Sequence, residues 1–206
     1  MDKTALLADI AKKIEVCQRC ELWKGTTHAV PGEGNPEAKV VFIGEGPGFY
    51  EDQQGRPFVG RAGILLNQVL GEIGMKREEV FIGNVVKHRP PENRDPLPAE
   101  ISACRLWLDQ QVEIIRPKLI VTLGRYSLAR YLPSAKISFV HGQVVRAGNQ
   151  VVLPMYHPAA ALRSTGLMEA FKKDFHDNSE VLKDPDHGLE LNKPETDESD
   201  PQMGLF

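Results

Sequence analysis

Four short apolar runs limit what this chain of 206 residues can become: KVVFIG (39–44), VFIGNVV (80–86), KLIVTLG (118–124) and QVVLP (150–154). Each is too short for a stable helix and is apolar at successive positions. Both faces of such a strand must therefore be covered. The segments between them carry helical spacing instead. A helix is expected over 3–16, another over 61–73 with Ile64, Leu65, Val69 and Ile73 on one side, and a third over 98–115 with Ile101, Cys104, Leu108, Val112 and Ile115, stopped by Pro117. A last one is expected over 166–182. Strands alternating with helices predict an α/β fold, a three-layer α/β/α sandwich around a central parallel four-stranded sheet.

Composition supports one domain and little else. With 41% hydrophobic and 26% charged residues the chain is neither collagen-like nor wholly disordered. No apolar run approaches the ~20 residues of a membrane span, and the opening MDKTALLADIAKKIEV is amphipathic. A soluble, unexported, cytoplasmic and monomeric protein is expected. The net charge of −3 hides a partition: residues 184–206 hold seven acids against Lys193, leaving 24 Lys and Arg against 21 Asp and Glu in residues 1–183. The expected organisation is a folded domain over 1–183, mildly basic and suited to an anionic partner, and a disordered acidic tail over 184–206. Three cysteines, Cys17, Cys20 and Cys104, are an odd number that argues against a disulfide framework and for an inorganic site or reduced thiols.

In open parallel sheets, ligands gather beyond the carboxyl ends of the strands. The unusual residues fall there: Gly44-Glu45-Gly46-Pro47-Gly48 after the first run, Asn84 to Arg94 at the second, Gly124 after the third and Tyr156-His157-Pro158 after the fourth. The glycine spacing is G-x-G-x-G and a Gly-Pro pair interrupts it, which speaks against a dinucleotide loop. Phe58 is either a ring that stacks on a base or an anchor for its loop. Asn84 either reads the edge of a planar ligand or forms a turn. His157 is a hydrogen-bond donor to a ligand or a structural residue. Lys87, Arg89, Arg94 and Arg163 lie on loops at the same edge, where they could meet phosphates. Cys17, Cys20, Cys104 and His88 make a Cys3His set that suits zinc or an iron–sulfur cluster, with three buried thiols as the alternative.

Taken together, GEGPGFYEDQQGRPFVGRAG (44–63), NVVKHRPPENRDP (84–96), KLIVTLG (118–124) and MYHPAAALR (155–163), behind the CxxC at 17–20, resemble the family 4 uracil-DNA glycosylases over residues from about 15 to 180. The resemblance implies the same sandwich, a 4Fe–4S cluster and excision of uracil from DNA to start base-excision repair. It implies a uracil site of Glu45, Gly46, Gly48, Phe58 and Asn84. His157 would donate to uracil O2, Glu51 would exclude the thymine methyl group or position water, and Asn93 would help position water. Leu162, after Ala160 and Ala161, stands where the family places an apolar wedge. The cluster ligands would be Cys17, Cys20, Cys104 and His88, the last replacing the family's fourth cysteine, with zinc or no metal as alternatives. QMGLF at the end, through Gln202, Leu205 and Phe206, resembles the peptide by which bacterial repair proteins dock on the sliding clamp. A non-catalytic protein that binds uracil-containing or damaged DNA and is recruited to the clamp is the competing reading.

Overall fold

The computed structural model describes residues 2–191. Its six strands are β1 (Glu33–Gly34), β2 (Val40–Gly44), β3 (Phe81–Asn84), β4 (Leu119–Leu123), β5 (Val145–Ala147) and β6 (Gln150–Met155). They form one sheet in the order β1-β3-β2-β4-β6-β5. The four expected strands are its parallel centre, β3-β2-β4-β6. The two short edges, β1 and β5, are antiparallel additions. With two and three residues they carry too little periodicity to be seen in sequence.

The helices are α1 (Lys3–Glu15), α2 (Phe49–Gln54), α3 (Arg61–Glu72), α4 (Pro98–Ile115), α5 (Arg125–Tyr131), α6 (Ile137–Val140), α7 (Pro158–Ala161), α8 (Thr165–Asp177), α9 (Ser179–Lys183) and α10 (Pro185–Leu191). Alternation along β2 separates two cores. Val40 and Phe42 pack with Leu66 and Leu70 of α3 and with Phe171 and Phe175 of α8. Val41 and Ile43 pack with Ile10 and Ile14 of α1 and with Leu108 and Ile115 of α4. Helices thus cover both sheet faces, as fully apolar parallel strands require.

Two expectations change. The helix over 166–182 is broken at Asn178, whose Nδ2 donates to the carbonyls of Gly142 (3.0 Å) and Asp174 (2.9 Å) and ends α8 before α9 begins. Disorder from residue 184 does not hold for α10. Asp186 pairs with Lys39 at 2.8 Å and Lys118 at 3.2 Å, and Leu189 packs on the first core. Averaged over 184–206 the composition is too polar to fold, yet these few residues dock through partners far away in sequence. The clamp-peptide residues Gln202, Leu205 and Phe206 lie outside the described residues. Among the described residues no helix is long and apolar enough to cross a membrane.

Phe175 is fully buried between Phe42, stacked at 6.1 Å, and Phe171, edge-on at 5.0 Å. Phe175→Ala is expected to lower unfolding stability by about 3–5 kcal/mol in urea titrations. Phe139→Ala, at a side chain 73% exposed, should change it by less than about 0.5 kcal/mol.

Candidate functional site

Parallel register brings the strand ends level: Gly44 pairs with Asn84, and Leu123 with Met155. The loops that leave these ends surround a cavity of about 510 Å³. Its lining includes Glu45, Gly46, Gly48, Glu51, Phe58, Asn84, Asn93 and His157, so every residue expected in the base pocket or its chemistry meets in one place. Arg94 and Arg163 stand at the same cavity.

The floor depends on a missing side chain. A Cβ on Gly44 would come within 2.5 Å of both Asn84 Oδ1 and the Phe58 ring. Phe58 is held in the left-handed region at φ +51°. Gly63 makes room for its backbone, since a Cβ there would stand 1.8 Å from the Phe58 carbonyl oxygen. The ring is 5% exposed and belongs to the first core, as an anchor for its loop would, and it also lines the cavity. Asn84 is 1% exposed, and its Oδ1 has no hydrogen-bond partner among the described residues. Buried amide oxygens are normally paired, and leaving one unpaired costs about 1–3 kcal/mol. Such an atom at a cavity is an acceptor awaiting a donor.

His157 completes the other wall, its ring centroid 5.7 Å from that of Phe58 and tilted by 30°. Its Nδ1 accepts from the Ala159 backbone N–H at 3.1 Å. The ring proton of the neutral imidazole is therefore on Nε2. Although part of its surface still meets the cavity, the surrounding protein pushes the imidazole down to about 4, by burial first and then by the charge of Arg163. A neutral donor is thereby fixed in place at ordinary pH.

Glu51 ties the intervening loop together. Its Oε1 accepts from the backbone N–H groups of Val59 (2.9 Å) and Gly60 (2.8 Å), and its Oε2 from Gly48 (3.1 Å). Opposite it, burial raises the Glu45 carboxyl, the charge of Asp95 adds to this and Arg125 opposes it. Asn93 follows Glu92 with both residues in the left-handed region, at φ +55° and +53°, and its Oδ1 accepts from Arg89 Nε at 2.6 Å. Asp95, Arg125 and Ile137 also line the cavity and were not picked out from sequence. Only Arg125, directly after Gly124 at a strand end, carried a usable signal.

Lys87 is the clearest correction. It is fully buried, and its Nζ donates to Gln111 Oε1 at 2.7 Å while Gln111 Nε2 donates to the Pro31 carbonyl at 2.8 Å. Burial lowers its ammonium to about 8. It cannot reach a phosphate from there, because the side chain follows the strand inward instead of leaving with the loop. Arg94 is bound by both nitrogens to Glu100, at 2.9 and 2.6 Å, while remaining at the cavity edge. Arg163 is exposed and has no ion-pair partner among the described residues. Leu162 is half-buried against the first core. That is a poor starting position for a wedge.

The three thiols converge beneath the second core. Cys104 belongs to that core with Cys17 and Cys20 packed against it, and Trp107 Nε1 donates to Cys17 Sγ at 3.3 Å. Cys104 also lies close to the backbone of Lys87, the residue before His88. His88 is 4% exposed and its imidazole is lowered by burial, with the charge of Asp52 opposing. Burial raises the Cys20 thiol and pushes that of Cys104 up to about 11, so a positive centre is needed to hold them as thiolates. Among the described residues no three of His, Cys, Asp and Glu are grouped as ligands of a single metal ion.

Residues 31–180 match the family model described as the uracil DNA glycosylase superfamily. The chain is 46% identical over 190 residues to the type-4 uracil-DNA glycosylase of Sulfurisphaera tokodaii, covering 87% of this chain and 86% of that protein. To the enzyme of the same name from Archaeoglobus fulgidus it is 47% identical over 179 residues, covering 82% and 89%. The Thermotoga maritima enzyme is 45% identical over 162 residues, covering 77% and 84%.

The His157 imidazole is expected to titrate near 4 and not near 6.5, as read from its ring chemical shifts. Between those values the unfolded chain takes up a proton that the folded chain refuses, so this group's contribution to stability is complete above about 6.5 and declines as pH falls. His157→Asn should flatten that part of the stability profile.

Proposed function

This chain belongs to the uracil-DNA glycosylase superfamily and, within it, to the type-4 enzymes, and from that premise we propose how its cavity removes uracil from DNA. The enzyme hydrolyses the N-glycosidic bond between uracil and deoxyribose, the opening step of base-excision repair. The observation that carries the residue assignments is the buried, unpaired Asn84 Oδ1 beside the Phe58 ring.

A base inside a duplex is out of reach, so the nucleotide must leave the stack and enter the cavity. Phe58 then stacks on the pyrimidine, while the Asn84 amide accepts from uracil N3–H and donates to O4. Cytosine, with its donor and acceptor reversed at this edge, fits badly. As the bond to C1′ lengthens, negative charge moves onto the base. His157 Nε2–H donates to O2 as that charge develops, with no proton transferred, which suits an imidazole kept neutral by its surroundings. Glu45, Gly46 and Gly48 wall the uracil edge. Glu51, with both oxygens anchored, makes a wall that cannot yield to a 5-methyl group. Asn93, already oriented by Arg89, helps hold the water that attacks the sugar. Arg89, Arg94 and Arg163 grip phosphates. Leu162, packed on the core, opens paired DNA weakly.

On oligonucleotides containing one uracil, the protein is expected to leave an alkali-labile site. His157→Ala and Asn84→Ala should each slow excision on the order of 10²-fold or more, and single strands and U·G pairs should be processed faster than U·A pairs. Equal loss of uracil from native and variant proteins would overturn the assignment.

The cofactor proposed is a 4Fe–4S cluster held by Cys17, Cys20, Cys104 and His88. Bound there, it cross-links the end of α1 to α4 and to the loop after β3, a structural task away from the glycosidic bond. Imidazole in place of thiolate makes the site less negative and raises its reduction potential. His88→Cys is therefore expected to retain iron and lower the potential measured by redox titration, whereas Cys104→Ser should lose iron.

The proposed partner beyond DNA is a sliding clamp, whose apolar pocket would take Gln202, Leu205 and Phe206. The enzyme is taken to act as a cytoplasmic monomer. Deleting residues 202–206 should abolish clamp binding in surface plasmon resonance without changing excision from a free oligonucleotide.

A further inference from the structure

Phe49 and Tyr50, at the start of α2, are 50% and 57% exposed although both are large aromatic residues. Their rings meet edge to face at 5.5 Å and 81°. The guanidinium of Arg89 lies over the Phe49 ring, 5.1 Å from its centroid. This pair borders the cavity. Gly48 before it and Glu51 after it both line the cavity, and Arg89 holds the cavity residue Asn93. The turn bearing the rings is rigid, because the Glu51 carboxylate pins Gly48, Val59 and Gly60. A preordered aromatic surface at the mouth of a base pocket is poorly explained as packing, since half of it contributes nothing to a core.

We propose that Phe49 and Tyr50, backed by Arg89, form a stacking platform for the base next to the uracil in the bound DNA strand. The inference rests on the uracil-pocket reading above and adds a contact outside the pocket. Stacking on an aromatic ring tolerates any base, because every base offers a π face, and an adjacent arginine attracts the connecting phosphate. Arg163, with no ion-pair partner among the described residues, places further positive charge at the same opening. That charge favours a nucleic-acid strand over an apolar protein surface as the occupant. The platform also supplies what the segment after His157 lacks. Ala160 and Ala161 are small and Leu162 packs on the core, so a neighbouring base held on Phe49 and Tyr50 would keep the strand from restacking once uracil has turned inward.

The test uses single-stranded oligonucleotides with one 2′-fluoro-2′-deoxyuridine, whose glycosidic bond resists hydrolysis, and affinity measured by fluorescence anisotropy. In a second set, an abasic spacer replaces the base on the 5′ or the 3′ side of the uracil. The native protein is expected to lose affinity on the order of tenfold when one of these neighbours is removed. Phe49→Ala combined with Tyr50→Ala should bind the intact oligonucleotide about tenfold more weakly and show no further loss with the spacer. Phe49→Trp should restore both the affinity and the spacer effect. Because both side chains are surface residues, circular dichroism should be unchanged. The proposal is overturned if the double variant binds the intact strand as tightly as native protein or keeps the full spacer penalty. A thymidine-containing strand separates the two readings. If native protein fails to prefer 2′-fluoro-2′-deoxyuridine over thymidine, the pocket assignment falls, whereas uracil preference with no effect of the double variant removes the platform alone.

Discussion

The close approach of β2 and β3 at their carboxyl ends governs the rest of the site. Gly44 pairs with Asn84 in register, and with no side chain at Gly44 the Phe58 ring and the Asn84 amide occupy the space a Cβ would fill. Any side chain there would push the ring away from the amide and close the floor of the cavity. Gly63 performs the same service for the Phe58 backbone, which has to adopt a left-handed conformation. The placement of Phe58 and Asn84 at the cavity floor is thus a product of sheet register and two absent side chains.

Polar groups in the walls are fixed before any ligand arrives. Three backbone N–H groups hold Glu51, one holds His157 Nδ1, and Arg89 holds Asn93. Asn84 Oδ1, by contrast, has no hydrogen-bond partner among the described residues. That pattern suits differential stabilisation. The free energy cost of ordering these side chains is met on folding, so a ligand entering the cavity meets groups already in place. At His157, burial keeps the imidazole neutral, and the Ala159 N–H at Nδ1 leaves its single proton on Nε2.

Away from the pocket, distance in sequence is bridged by buried polar chemistry. Lys87, Gln111 and the Pro31 carbonyl form a chain that fastens the loop after β3 to α4. The same loop reaches Cys104 through the Lys87 backbone. The thiol cluster and the cavity thus share one loop, with the former bracing it from behind and the latter using its far end.

Much of this was legible in the residues alone. The central strands, both layers of helices and the gathering of Glu45, Asn84 and His157 at one sheet edge follow from apolar periodicity and from glycine placement, which are local properties of the chain, while Phe58 joined that site only through the family resemblance. Burial and partnership are not local. Lys87 looked like a phosphate contact because it stands in a loop at the sheet edge that collects the site, yet Gln111 receives it in the interior. Residues 185–191 looked too polar to fold, yet Lys39 and Lys118 meet Asp186 and Leu189 finds the core. The tautomer of His157, the orphaned oxygen of Asn84 and the two rings exposed beside the pocket were likewise settled only by tertiary structure. Sequence fixes which groups are available at which strand end, while the packing of distant segments fixes which of them are desolvated, paired or left open to a ligand.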